Sequence, residues 1–307
     1  MPSASARSLR RVGRGRLRAR NRDRRGSLDQ SGRRETVRHI ARTGDPDRYA
    51  ASLFAPADAR DALFALYACN VELARIAEQV SEPELGLIRL QWWRDNLEGA
   101  TAGESTGHPV ADALGEALRT RLIPSERILP LIDARVFDME GSSMADGESL
   151  ENYLRDTAGT IFAVAAEMLG GGSERANEAA ASSGLAYGLT GLMRALPLHA
   201  GAGRLYLPAD VLARHRLAPE VVLSGATDGR LGLVLGDLRN TARSALEQAL
   251  PLVASLGTRA RLAFLPLALV RPYLAALQRT ASDPLRRIAD INPLYRFWRL
   301  ATWRYRS

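Results

Sequence analysis

From Glu35 onward the apolar residues of this chain recur at intervals of three and four, and no alternating stretch of useful length interrupts them. That period places apolar side chains on one face of a helix, whereas a half-buried strand needs a period of two. Within Ala59–Val80, Leu63, Phe64, Leu66, Tyr67, Val71, Leu73, Ile76 and Val80 follow the helical spacing. Ser81-Glu82-Pro83-Glu84 then supplies a cap, a first-turn proline and acids at the positive end of a second helix, which runs through Ile88, Leu90, Trp92, Trp93 and Leu97. His108-Pro109 and Pro124-Ser125-Glu126 open two more. Ser149–Leu169 is predicted to stop at Gly170-Gly171-Gly172, and Ala176–Arg194 to end before Pro197. A short helix near Ala209–Arg214, then Leu231–Leu256, Arg259–Arg279 and Asn292–Tyr305, complete the series. The expectation is an all-α, single-domain helical bundle over residues 35–307, with no internal repeat.

Charge separates the first 34 residues from the rest. They hold twelve Arg against Asp23 and Asp29, a net +10 in a chain whose total is +8, so residues 35–307 carry −2. Dense like charge with few apolar residues predicts an irregular segment over residues 1–34. The high isoelectric point therefore belongs to that segment, and no nucleic-acid-binding domain is expected. All 42 basic residues are Arg, which excludes Schiff-base and P-loop lysine chemistry. The single cysteine, Cys69, excludes an internal disulfide and a multi-cysteine metal site, and its neighbours Leu66, Tyr67, Ala68 and Val71 predict a buried thiol. No uninterrupted apolar run reaches about 18 residues; the nearest, Leu262–Val270, is cut by Arg271-Pro272. The Arg-rich start lacks the apolar core of a secretory signal. It has the composition of a mitochondrial transit peptide, but also of a basic arm or of a start codon placed too early. The expected location is cytoplasmic, at or near the inner membrane, or the mitochondrial matrix in a eukaryotic host.

Three stretches resemble the squalene/phytoene synthase family. Ala65-Leu66-Tyr67-Ala68 matches the lead into that family's first aspartate-rich motif, Asp-Asp-x-x-Asp. Tyr153 with Ala158-Gly159-Thr160 is similar to its mid-chain signature. Leu189-Thr190, Arg194 and Gly203-Arg204-Leu205-Tyr206-Leu207-Pro208 lie in register with its second motif. Both motifs have lost their aspartates. The first reads Ala74, Arg75 and Glu78 at the ligand positions, and the second reads Ala195 and His199. The closer likeness is to the family's non-catalytic branch, which includes a mitochondrial complex I assembly factor. It is carried by Asn70-Val71-Glu72-Leu73-Ala74, Val80-Ser81-Glu82, Gly86–Trp93, Glu151-Asn152-Tyr153 and Arg194–His199.

The family's reaction expels diphosphate, whose charge must be neutralised by Mg²⁺ held on oxygen ligands. One carboxylate, Glu78, survives among five positions, and at i, i+3 from Arg75 it is expected to form an ion pair instead. His199 has no second His or Cys nearby, and Pro197 is expected to break its helix. The resemblance thus implies a catalytically degenerate protein with no catalytic residues, metal or cofactor, acting as a binding or assembly factor with protein partners such as respiratory-complex subunits. The alternative is a head-to-head prenyltransferase using Mg²⁺.

A ligand pocket for an isoprenoid, lipid or diphosphate head is expected at Tyr67, Arg194, Arg204 and Tyr206, because Arg binds phosphate bidentately without a metal. Against it stand a helix-capping Arg194 and a loop-packing Tyr206. Trp92-Trp93 is expected to be core plus rim. The C-terminal segment Leu294–Arg306 has two readings. One is a closing helix that buries Leu294, Phe297, Trp298 and Leu300; the other is an interfacial helix making peripheral membrane contact through its aromatics and arginines.

Overall fold

The computed structural model describes residues 30–140, 143–226 and 228–303, and among them there is no strand. The chain begins with α1 (residues 30–44), α2 (Pro46–Ser52), α3 (Ala57–Gln79), α4 (Pro83–Ala102) and α5 (Pro109–Thr120). Two short helices follow, α6 (Leu129–Ala134) and α7 (Phe137–Glu140). Next, α8 (Gly147–Leu154) runs through a π turn (Arg155–Gly159) into α9 (Thr160–Met168). The long α10 (Glu174–Gly201) leads to α11 (Ala209–Arg214), α12 (Pro219–Leu223) and α13 (Gly229–Ala254). Last come α14 (Thr258–Arg261), a 3₁₀ stretch (Leu262–Leu269), α15 (Val270–Arg279) and α16 (Pro293–Trp303).

The helix α10 packs along α13 and crosses the π turn, while α3 packs on α5 and α9. The π turn lets two backbones meet. A Cβ at Gly184 would lie 2.5 Å from the amide nitrogen of Gly159, so the α10 side of that crossing has no room for a side chain. Cys69 is buried, as its neighbours predict, and burial pushes its thiol pKa up.

Three expectations need correction. Helix α1 starts inside the segment expected to be irregular: Arg33 reaches Asp112, and Arg34 and Arg38 reach Asp61, so these arginines find acids in the fold. Residues 1–29 lie outside the described residues. Pro197 does not end α10, which continues to Gly201 with the proline inside it. A mid-helix proline costs about 3 kcal/mol; burial of Leu196 and Ala200 on either side offsets it.

Arg271-Pro272 cuts the apolar run but not the helix, in keeping with the predicted span Arg259–Arg279. Residues Thr258–Arg279 form one rod, long and apolar enough by length and composition to cross a membrane, yet 78% of its most apolar window is buried inside the fold. It is a core element, with Phe264 stacked on Phe162 at 5.5 Å. Finally, α16 buries Leu300 but leaves Leu294, Tyr295, Phe297 and Trp298 exposed, Leu294 at 81% and Trp298 at 55%. Its inward side is anchored instead by arginines: Arg299 donates to the Ala268 carbonyl, and the guanidinium of Arg296 lies 2.7 Å from an Asp47 oxygen. The reading in which the aromatics close the core therefore fails.

Candidate functional site

The positions of the lost aspartates sit on α3 and near the C-terminal end of α10. Ala74 is half-buried, while Arg75 and Glu78 face solvent. The expected Arg75–Glu78 ion pair is not formed among the described residues: both side chains are long and exposed, and little free energy is available to hold them together. On α10, Ala195 and His199 are half-buried. The His199 ring packs on Tyr206 with centroids 4.7 Å apart. Burial, reinforced by the charge of Arg204, lowers its pKa to about 4, so the imidazole is neutral near pH 7.

Mg²⁺ requires several oxygen ligands in near-octahedral array. Here the motif positions offer one exposed carboxylate, and among the described residues no group of three His, Cys, Asp or Glu side chains converges on a point. The residues present do not fit the Mg²⁺ that the resemblance implies.

Beneath the second motif, the interior is cross-linked around Asp138. This residue of α7 is buried and accepts three charged or polar donors. Tyr206 donates its hydroxyl to Oδ1 at 2.7 Å, Tyr153 donates to the same oxygen at 2.9 Å, and Arg135 donates to Oδ2 at 3.1 Å. Arg135 also donates to the Tyr153 oxygen at 2.8 Å and to Asn70 of α3 at 3.3 Å. Phe137 lies against both tyrosine rings, at 5.7 and 5.9 Å. Burial raises the pKa of both tyrosines, which keeps their protons available as donors. The result is one charge-neutral unit, Arg135⁺ with Asp138⁻, spanning α3, the α6–α7 junction, α8 and the loop before α11.

A second unit lies around α2. Buried Asp47 accepts from the Tyr273 hydroxyl at 2.9 Å and meets Arg296 and Arg194, the latter at 3.6 Å. Burial raises its pKa, against the pull of Arg296 and Arg194. Arg194 stacks over the Tyr273 ring at 3.6 Å, donates to the Ala289 carbonyl at 3.0 Å and reaches Asp290 at 3.4 Å. The neighbouring Arg48 is buried, bonded to Asp45 at 3.0 Å, and sits over Tyr187, Phe162 and Tyr67 at 4.6, 5.3 and 6.0 Å. These rings supply cation–π attraction to a guanidinium whose Nε and Nη2 have no hydrogen-bond partner.

The four residues expected to share one pocket therefore fall into two groups. Tyr206, with Arg204 beside His199, belongs to the Asp138 unit; the Arg204 amide donates to the His199 carbonyl at 2.8 Å. Tyr67 and Arg194 belong to the α2 unit, through Arg48 and Asp47. Arg194 is committed to two carboxylates, a carbonyl and a ring, which leaves little of its donor set for a phosphate. Sequence reading passed over Arg135, Asp138, Asp47 and Arg48. The i, i+3 spacings of Arg135 with Asp138 and of Asp45 with Arg48 were the local signs of these pairs.

The squalene/phytoene synthase family model matches residues 41–299. A Bos taurus protein named NADH dehydrogenase (ubiquinone) complex I, assembly factor 6, is 30% identical over 283 residues, covering 91% of this chain and 84% of the relative. Its Homo sapiens counterpart is 29% identical over 269 residues, covering 86% and 80%. A Mycobacterium tuberculosis phytoene synthase is 29% identical over 199 residues, covering 64% and 65%. Among solved structures, a dehydrosqualene synthase in complex with ligand superposes with a TM-score of 0.76 at 17% identity, over 91% of this chain and 97% of that one. Squalene synthase HpnC from Alicyclobacillus acidocaldarius gives 0.72 at 22% identity, over 84% and 97%. At such identities the superpositions establish the fold. The family model spans α2 to α16, and with the helical order and the Tyr153 and Tyr206 signatures it leads to one assignment: the chain belongs to the squalene/phytoene synthase family.

Proposed function

We propose that this protein is a non-catalytic member of its family that assists the assembly of the respiratory NADH dehydrogenase, complex I, by binding protein partners. The observation that carries this reading is the replacement of the metal-binding carboxylates at both motifs, above an interior whose polar groups bond one another around Asp138. The names of the bovine and human relatives give the reading its direction. Without a carboxylate cluster nothing at these positions neutralises a departing diphosphate, so the reading includes no Mg²⁺, no cofactor and no turnover.

Deleting the gene in its native host is expected to lower assembled complex I on native gels, and NADH:quinone oxidoreductase activity, several-fold, with recovery on re-expression. Purified protein given Mg²⁺ and labelled farnesyl or geranylgeranyl diphosphate is expected to release no product above a no-enzyme control. Normal complex I in the deletion strain, together with turnover in that assay, would restore the prenyltransferase reading that the phytoene synthase relative represents.

The same reading places the protein on the cytoplasmic or matrix side of the inner membrane, held peripherally by α16. The observation in favour is the exposed Leu294, Tyr295, Phe297 and Trp298 face, with exposed Arg286, Arg287 and Ile288 just before it. Aromatic rings at head-group depth beside arginines suit an anionic bilayer. Co-sedimentation with vesicles containing anionic lipid is expected to drop at least five-fold in the Phe297→Glu/Trp298→Glu variant, and for the native protein at high salt. Equal binding by variant and native chains would remove α16 from the contact.

A further inference from the structure

A separate feature lies on a face of α3 turned away from Ala74 and Glu78. Glu72, Arg75, Ile76 and Gln79 share that face by their three- and four-residue spacing, and with α4 and the start of α5 they border an open cleft of about 360 Å³. Trp92, Trp93 and His108 line it as a mutually edge-on trio, with ring centroids 5.2 to 5.5 Å apart. His108 Nε2 lies 3.2 Å from Glu72, so the one carboxylate in the cleft already has a partner. At the rim, Arg75 and Arg89 are exposed; Arg89 donates to the uncharged Gln79 at 3.2 Å. The cleft is therefore apolar and aromatic within and cationic at its edge.

The cleft does not end the feature. On α4, Leu85 and Ile88 are exposed, Ile88 at 64%, and with half-buried Trp92 they form an i, i+3, i+7 stripe running about 10 Å along the helix into the cleft. The buried side of α4 is carried by Gly86, Leu90, Trp93 and Leu97; Trp92 packs against the edge of the core, while Leu85 and Ile88 play no part in it. A small molecule confined to the cleft would leave Leu85 and Ile88 uncovered. An amphipathic protein segment covers both. Glu82 and Glu84 stand at the far end of the stripe and set its polarity: acids on the segment are favoured beside Arg75 and Arg89 and repelled at the Leu85 end.

We propose that the cleft and stripe are the docking surface for an acidic amphipathic segment of a partner protein. The segment lays its apolar face along Leu85, Ile88 and Trp92, inserts a large apolar side chain beside the tryptophan rings, and sets carboxylates against Arg75 and Arg89. It is a helix-in-groove mode of recognition. The proposal rests on the binding-protein reading above and names where that binding occurs.

The test pans a random-peptide display library on the purified full-length chain. Enriched sequences are expected to carry an aromatic or leucine anchor within one helical turn of two acids. A synthetic peptide of the enriched sequence should bind with a change in Trp fluorescence, and its affinity should fall at least ten-fold in Arg75→Glu/Arg89→Glu and in Ile88→Glu. Leu233→Glu, at another exposed apolar residue on α13, should leave it unchanged. All three changes are at exposed positions, and unaltered melting temperatures confirm intact folds. Failure of any sequence to enrich, enrichment of basic peptides, or charge-reversal affinity within two-fold of native would overturn the proposal.

A complementation arm separates this surface from the broader reading. If the native chain restores complex I in the deletion strain and Arg75→Glu/Arg89→Glu does not, the surface is supported. If both restore it equally, the surface is wrong and the assembly function stands. If deletion leaves complex I intact, the assembly function falls, and the peptide measurements decide the surface on their own.

Discussion

Replacing Asp138 by Ala is expected to destabilise the protein by about 3–5 kcal/mol, the usual cost of removing one partner from a buried ion pair. At this chain size that corresponds to a fall of roughly 10 °C in melting temperature. The reason lies in what the change leaves behind. The Asp138 side chain is 2% exposed, and three donors from three parts of the fold point at it. Without it the Arg135 guanidinium remains buried with only neutral oxygens for company, and two tyrosine hydroxyls lose their acceptor. Thermal unfolding followed by circular dichroism measures the loss. A second variant tests the cause: Arg135→Met/Asp138→Leu removes both charges together, and should recover more than half of what Asp138→Ala loses. If the double variant is as unstable as the single one, the loss comes from packing around Phe137 and not from an orphaned charge.

The Asp138 unit also shows which parts of this molecule can be read from the chain and which cannot. Helices α3, α10 and α13 follow from apolar spacing alone, because each buries a long stripe and the period survives any detail of tertiary contact. Pro197 is misread for the opposite reason. A proline's local cost is fixed, but whether a helix continues past it depends on what its neighbours bury, and Leu196 and Ala200 are set by the whole bundle. Tyr153 and Tyr206 are visible as family signatures, yet their common acceptor is not. Asp138 stands 15 residues from one and 68 from the other, and only the fold brings the three together. The same holds for Asp47 and Tyr273, which are 226 residues apart. The exposed face of α16 is a subtler case. Its aromatics follow the helical period as well as any core stripe does, but Arg296 and Arg299 occupy the inward side, where Asp47 and the Ala268 carbonyl accept them.

His199 gives the second large effect, and it is one of pH. In the unfolded chain an imidazole takes up a proton near pH 6.5. In the fold it resists until about pH 4, first because burial strips it of water and then because Arg204 repels a second positive charge. Between these values the unfolded state binds more protons than the folded one, so stability falls as the pH is lowered. This contribution is fully present above pH 6.5 and is lost progressively toward pH 4, to a total of about 3 kcal/mol at 1.36 kcal/mol per pH unit. Residual exposure of the ring trims that figure toward about 2 kcal/mol. Asp47 adds an opposing slope at the acidic end, since a carboxyl whose pKa is raised by burial favours the fold as it becomes protonated. Urea titrations at half-unit steps from pH 7.5 to 4.5 measure the difference between the native chain and His199→Gln. That variant keeps a polar side chain against Tyr206 and cannot titrate. Its stability is expected to change much less over this interval, and the native-minus-variant curve should bend near pH 6.5. Parallel curves for the two proteins would mean that His199 reaches water in the folded state, and the packed, neutral imidazole on Tyr206 would have to be abandoned.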